Sequence, residues 1–394
     1  MATYTPKLKP RPVVVDQVPK RKGKTAFMRF ISWIHLWPSI VSGVILVFVC
    51  LTGVIIVYGD EIMDICAGDA RFVKEVKVQK ATSQELLTSI KKGSPDLAIS
   101  ELVFFKDPKR SVRARVFDGK SKKLAHLYID PYTAEVLKVD TTIYFFYITA
   151  HLHASLLAGK VGGWIVAIST IIFLISSITG LVLWWPNRWN KTTRQASFTI
   201  KWKAKFKRLN YDLHNVYGFY SLILCVVLSA TGLLIFFHPL GELTVKLAGG
   251  SANHVAENLP KAIKGKTELD MVPIVDQLFS NEYATKKNIG IWIYRLEKSG
   301  AYVFSGGTSG LKSTENMDIA VFDKYTGTRI TVSEQDNIHE KVENYVWQLH
   351  MGQWWGQFGK LSTFLAGIVA TSLPITGFLI WWGRKKRKLK RLGY

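Results

Sequence analysis

Six histidines stand in or beside long apolar stretches of this chain: His35, His151, His153, His214, His238 and His350. Ionisable side chains in membrane helices are costly and usually functional, so these residues come first. Four of them form two matched pairs. His35 and His214 lie 179 positions apart, each opening an apolar segment, and His153 and His350 lie 197 apart, each ahead of another. Two neutral imidazoles from facing helices can fill both axial positions of a haem iron, and the space between bundle helices is where such cofactors sit. Zinc prefers four close ligands, and neither pair brings a Cys or a carboxylate. Mononuclear copper usually adds Cys or Met, and only Met351 offers itself. A proton relay finds no acid in the spans. The pairing therefore favours two b-type haems, an inner one at His35 and His214 and an outer one at His153 and His350. His151 and His238 are alternative outer ligands. Cys50, Cys66 and Cys225 form no Cys-x-x-Cys-His, so a covalent c-type haem and a zinc knuckle are unsupported.

The elements that must position these histidines are four apolar blocks, roughly 31–58, 161–185, 216–237 and 361–382. Each has about the 20 residues a helix needs to cross ~30 Å of hydrocarbon, and none carries Asp, Glu, Lys or Arg in its central part. The net charge of +23 is concentrated in residues 1–30, 186–211 and 383–394. Those segments share one side of a four-span protein, and the positive-inside rule makes that side cytoplasmic. DNA binding would need a basic face on a folded domain, and none is left over, so nucleic acid is not an expected partner. The expected division is a basic segment 1–30, a span 31–58, an outer domain 59–143, an interfacial segment and span 144–185, a basic loop 186–211, a span 212–238, a second outer domain 239–343, an interfacial segment and span 344–382, and a basic tail 383–394.

The two halves repeat. Thr52-Gly53 matches Thr231-Gly232, Ile178-Thr179-Gly180 matches Ile375-Thr376-Gly377, and Trp184-Trp185 matches Trp381-Trp382. In the outer segments, Asp130-Pro-Tyr-Thr matches Asp323-Lys-Tyr-Thr. Small residues let membrane helices approach closely, which is the expected role of the Thr-Gly pairs, and the double Trp reads as an interfacial anchor. Strands are expected over 114–118, 124–130, 135–139, 291–296, 301–305 and 319–323. The expected fold is an α-helical bundle of four transmembrane helices, built from two parallel repeats and carrying two small α+β outer domains. His153 lies 27 residues before Gly180, ~40 Å of continuous helix, so a break at Gly159, Gly162 and Gly163 is expected. Arg29, Arg188 and Arg208 are candidates to neutralise inner haem propionates, and Lys160 and Lys360 outer ones.

With His35-Leu-Trp, His214-Asn-Val-Tyr-Gly, His151-Leu-His153, Ile178-Thr-Gly180-Leu and the Asp-x-Tyr-Thr motifs in order, the chain resembles the PepSY-associated transmembrane family over residues 25–385. The resemblance implies PepSY-like periplasmic domains and a multi-pass protein of the bacterial inner membrane with both termini cytoplasmic. It further implies a siderophore reductase with two non-covalent haems, freeing iron from ferric siderophores. A quinol or other membrane or cytoplasmic donor would supply the electrons, since no G-x-G-x-x-G follows a strand to mark a nucleotide domain. Gln348 stands where the second half would match His151. The competing expectation is a permease or binding module for iron complexes or peptides, without redox chemistry.

Overall fold

The structure is a computed structural model that describes residues 25–92, 97–120, 123–286, 289–294, 299–308 and 310–391. Most of the basic amino-terminal segment (1–24), the last tail residues (392–394) and the end of the strand expected to reach Leu296 lie outside the described residues. In chain order, α1 (Ala26–Val57) leads through α2 (Gly59–Ala67) and α3 (Ser83–Lys92) to β1 (Leu97–Phe105), β2 (Val112–Asp118), β3 (Lys123–Ile129) and β4 (Val136–Asp140). The chain returns through α4 (Thr142–Ser155) and α5 (Gly159–Trp184) to a loop bearing α6 (Lys191–Phe198). Next come α7 (Phe206–Asp212), a π-helical turn over Leu213–Tyr217, α8 (Gly218–Tyr220), α9 (Leu222–Phe236), α10 (His238–Leu247) and α11 (Val272–Ser280). β5 (Gly290–Tyr294), β6 (Ala301–Thr308), β7 (Glu315–Asp323) and β8 (Arg329–Ile330) precede α12 (Glu334–Met351) and α13 (Gly356–Arg391).

Three of the expected spans are single helices long and apolar enough to cross a membrane: α1, α5 and the helical stretch 353–385. Where the fourth span is expected stands a bent pair of helices. Phe206–Tyr220 and Leu222–Phe236 meet at 64°, just after the π-helical turn that contains His214. Such turns cluster at functional sites because they widen the helix and re-aim its side chains. Close packing comes from small residues. A Cβ at Gly367 on α13 would lie 2.6 Å from Val54 Cγ2 on α1, and one at Gly43 on α1 would lie 3.3 Å from Pro374 Cβ.

Among the described residues, eight strands form one antiparallel sheet in the order β4-β3-β2-β1-β5-β6-β7-β8. The sequence predicts two separate outer domains; instead β1 pairs with β5, Leu102 opposite Ile293, and fuses two four-stranded halves. Strand alternation separates two faces. Leu102, Phe104, Ala114, Val116, Leu127, Ile291, Ile293 and Phe304 are buried with Leu86 and Ile90 of α3 and Val275 and Leu278 of α11. Each fully buried large side chain there contributes about 1.5–3 kcal/mol. The other face carries Glu101, Arg113, Arg115, His126 and Trp292, which line a cavity shared with α2 and α12. The matched turns have one chemistry. Asp130 accepts from Tyr132 N at 2.8 Å and Asp323 from Tyr325 N at 2.8 Å. Ala134 takes the left-handed conformation (φ 57°) that Gly327 takes (φ 68°) in the second half.

The expected helix break is present at Gly159 but not at Gly162 and Gly163, which lie inside α5, and the second half has a matching break. α4 ends where Leu156 (φ 51°), Leu157 (φ 58°) and Gly159 (φ 55°) turn left-handed. α12 ends at Gly352 (φ 75°), and Gly356 (φ 53°) opens α13. After each break a glycine presses on the helix end just left: a Cβ at Gly162 would lie 1.7 Å from the Ser155 carbonyl oxygen, and one at Gly359 2.3 Å from that of Gly352. A side chain at either position would force the corner open.

Candidate functional site

The matched histidines come together in pairs. The His35 and His214 ring centroids are 6.4 Å apart, and those of His153 and His350 are 6.1 Å apart. His35 belongs to α1 and His214 to the π-helical turn, at the end of the helices away from the sheet. His153 and His350 sit near the ends of α4 and α12, on the sheet side. From His35 to Gly53, which touches His153, α1 runs 18 residues, about 27 Å.

Every one of the four imidazoles leans on a Thr-Gly pair of a neighbouring helix. A Cβ at Gly180 on α5 would lie 3.2 Å from His35 Cε1, and one at Gly377 on α13 3.2 Å from His214 Cε1. On the sheet side, Gly53 on α1 gives 3.0 Å to His153 Cε1 and Gly232 on α9 gives 3.1 Å to His350 Cε1. These glycines are expected to serve helix packing; they seat imidazoles instead.

The adjoining residues fix the tautomer. His35 Nδ1 lies 3.0 Å from the Ser176 carbonyl oxygen, and His153 Nδ1 lies 2.8 Å from that of Val49. A carbonyl only accepts, so both nitrogens carry hydrogen. His214 Nδ1 is 2.9 Å from Thr376 Oγ1, and His350 Nδ1 is 3.0 Å from Thr231 Oγ1. Those hydroxyls already donate to their own helices, Thr376 to Ser372 O at 2.9 Å and Thr231 to Val227 O at 2.8 Å. They therefore accept from the imidazoles. All four rings are Nδ1–H tautomers, and Nε2 is the nitrogen with a lone pair to offer a metal.

The four imidazoles are residues that could hold metal centres such as haem iron. With each metal–nitrogen bond about 2 Å long, two imidazoles ligating from opposite sides put their centroids roughly 6.3 Å apart. Both pairs have that spacing, and second-shell bonds of this kind hold metal-ligating histidines in orientation. A cavity of about 460 Å³ lies at the far pair, lined by His35, His214, Gly180, Gly377, Phe173 and Trp381 among others. This volume is within the usual range of ligand pockets.

Several other expected residues fall elsewhere. His151 is exposed, bonds Tyr147 O of its own helix at 2.9 Å and packs on the Tyr147 ring. Two positions from His153 on a helix, it points to another side. His238 is exposed at the start of α10. Gln348, in the place matching His151, is buried and donates to Thr314 O. Arg29 and Arg188 are exposed and do not line the far cavity, and Arg208 pairs with Asp212 at 2.9 Å. The arginine that lines it is Arg384, hidden in the sequence within a run of basic residues. Lys160 is exposed. Lys360 is 5% exposed and bonded to Glu61 at 2.7 Å, tying α13 to α2. Trp184 is more than an interfacial anchor: it is buried, stacks on Phe219 at 4.0 Å and donates to Ser197 O.

Residues 32–384 match the family described as the PepSY-associated TM region. The chain belongs to this family. The match runs from just before His35 to Arg384 and so takes in both histidine pairs, all four Thr-Gly seats and the sheet of this PepSY-associated membrane protein. No curated protein matches the chain.

Beside the sheet-side pair, a second cavity of about 410 Å³ lies between the polar sheet face, α2 and α12. Arg113, Arg115 and Lys312 supply positive charge and Asp60, Glu101, Glu340 and Glu343 negative charge, with Arg115 paired to Glu101 at 2.6 Å. Burial pushes the Asp60 carboxyl up to about 6, against the pull of Lys360 and Arg113. Trp347 lines this cavity one helical turn before His350 and lies 5.8 Å from Lys312 Nζ across its ring.

Proposed function

We propose that this PepSY-associated protein is a di-haem b-type reductase of the bacterial inner membrane, moving electrons across the bilayer to a ferric siderophore in the periplasm. The observation that carries the reading is the tautomer set. Four Nδ1 atoms are held by oxygens, which leaves four Nε2 lone pairs, on rings that stand in two pairs 6.4 and 6.1 Å apart near opposite ends of the helices. His35 and His214 would hold one haem, His153 and His350 the other. When bound, the haem iron supplies reversible one-electron chemistry.

The chain's own residues do the rest. The Ser176 and Val49 carbonyls and the threonyl hydroxyls orient the imidazoles, the glycines give the rings room, and the apolar helices keep water from the path between the levels. Two parallel repeats in a four-span bundle account for the matched contacts, with the bent pair as one span. The positive-inside rule makes the basic loop and tail cytoplasmic, so the sheet faces the periplasm and a quinol or cytoplasmic donor serves the His35 level. Hard oxygen donors hold Fe(III) far more strongly than Fe(II), so a single electron loosens the complex and leaves the organic ligand unchanged. The sheet-side cavity, whose lining mixes Arg113, Arg115 and Lys312 with Asp60, Glu101, Glu340 and Glu343, would receive a polar, oxygen-rich substrate. The test is stopped-flow reoxidation of dithionite-reduced protein by hydroxamate and catecholate ferric siderophores, with a chelator reporting Fe(II). Fast reoxidation with stoichiometric Fe(II) supports the reading; reoxidation no faster than in buffer across both classes overturns it.

A further inference from the structure

A second group of metal-binding side chains lies away from both histidine pairs. His254, in the loop before a short helical turn, comes together with His339 and Glu343 of α12, and one ligand atom from each lies within 4.8 Å of the others. No other set of three or more such side chains meets that test among the described residues.

His339 and Glu343 are four apart and share a helix face. His339 is 3% exposed, and its Nδ1–H donates to the Ser251 carbonyl at 2.9 Å, which leaves Nε2 as the free nitrogen. That Nε2 lies 3.7 Å from Glu343 Oε1. His254 Nε2 lies 3.9 Å from the same oxygen, while its Nδ1 is 3.4 Å from Glu340 Oε1. Glu340 is held in turn by Val255 N at 3.0 Å.

Two features point to a cation. Both Nε2 atoms face one carboxylate oxygen at separations too long for hydrogen bonds. Behind each ring stands an oxygen: the Ser251 carbonyl accepts from His339 Nδ1, and Glu340 Oε1 stands 3.4 Å from His254 Nδ1, placed to back a metal-bound imidazole. Ligands about 2 Å from a shared ion lie roughly 3.0–3.4 Å apart, so a contraction of about half an ångström brings both nitrogen–oxygen separations into range.

We propose that His254, His339 and Glu343 bind one divalent first-row transition ion, with Glu340 positioning His254. Two imidazoles and one carboxylate with further coordination positions open suit Fe(II) or Zn(II) rather than Mg(II) or Ca(II). The site stands without the haem reading. It also lies where a released ion would first be met, because His254, Glu340 and Glu343 line the sheet-side cavity. Glu343, Trp347 and His350 follow one another at helical spacing on α12, with Glu343 about 10 Å from His350 along the axis. Where the reductase reading holds, Fe(II) is the ion received.

The experiment uses tag-free, full-length protein in detergent, stripped with chelator and dialysed against Zn2+ or, without oxygen, Fe2+. Bound metal and haem are counted separately. The site predicts one tightly held equivalent, weakened at least about tenfold by His254→Ala and by Glu343→Gln, with haem content unchanged. His254 is half-buried and Glu343 exposed, so both variants are expected to fold. Mg2+ at equal concentration leaves binding unchanged. No bound metal, or equal binding in wild type and both variants, overturns the site. Loss of haem from wild type with metal retained counts against the haem reading alone.

Discussion

Thr231 Oγ1 lies 3.0 Å from His350 Nδ1, and its own proton is committed to Val227 O, 2.8 Å away. The threonine can only accept, so the imidazole must donate through Nδ1. Thr376 does the same for His214 in the other pair.

Replacing the threonine by an isostere therefore isolates this bond. Thr231→Val keeps the helix packing and removes the acceptor, and losing such a partner costs about 10–100-fold in metal affinity or activity. The sheet-side haem should be lost first on titration with a haem scavenger such as apomyoglobin, with the far haem unaffected. Equal retention of both haems would mean that the bond does not orient a ligand.

The histidines themselves should sort by level. His35→Ala and His214→Ala should each remove the same haem, and His153→Ala or His350→Ala the other. His151→Ala and His238→Ala should keep both, because neither ring joins a pair. Haem-to-protein ratios and reduced spectra read the result. A His35 variant with the haem complement of a His350 variant would contradict the two levels.

Glycine-to-valine changes separate seating from helix packing. Gly53→Val puts methyl groups where His153 Cε1 already lies 3.0 Å from a Cβ, so it should remove the same haem as His153→Ala. Gly43→Val, at the Pro374 contact, should lower thermal stability and leave the haem ratio intact. If Gly43→Val removed the sheet-side haem while Gly53→Val kept it, the seats would be packing contacts.

Asp60 gives a pH dependence with a defined sign. Its carboxyl titrates near 6 in the folded chain against an ordinary value of 3.8. The folded state holds that proton more tightly, so stability falls as pH rises from about 4 through 6. Because Asp60 faces a cavity open to water, the effect is on the order of 1–2 kcal/mol. Asp60→Asn should raise the melting temperature at pH 7.5 and change little at pH 4. The same offset at both pH values would show that the carboxyl is not the cause.

The histidine pairs were legible in the sequence because each member stands in a motif that has a match in the other half, and the helix break followed from length, since His153 could not stay on a continuous helix through Gly180. The Thr-Gly seats were not, because a small residue in a membrane helix has a packing explanation by default, and only the tertiary fold brings Gly53 to His153, 100 residues away. The β1–β5 joint leaves no local trace either: both strands alternate as strands do, and their pairing spans nearly 190 residues. His254 was missed for the same reason. The i, i+4 spacing of His339 and Glu343 was the available signal.

The most direct test of the central claim is the absorption and low-temperature EPR of purified, full-length protein from haem-replete cells, before and after dithionite. The four Nε2 lone pairs predict two acid-acetone-extractable b-type haems per chain, both low-spin and both bis-histidine. A colourless protein, or haem that is high-spin because one axial position is open, would contradict it.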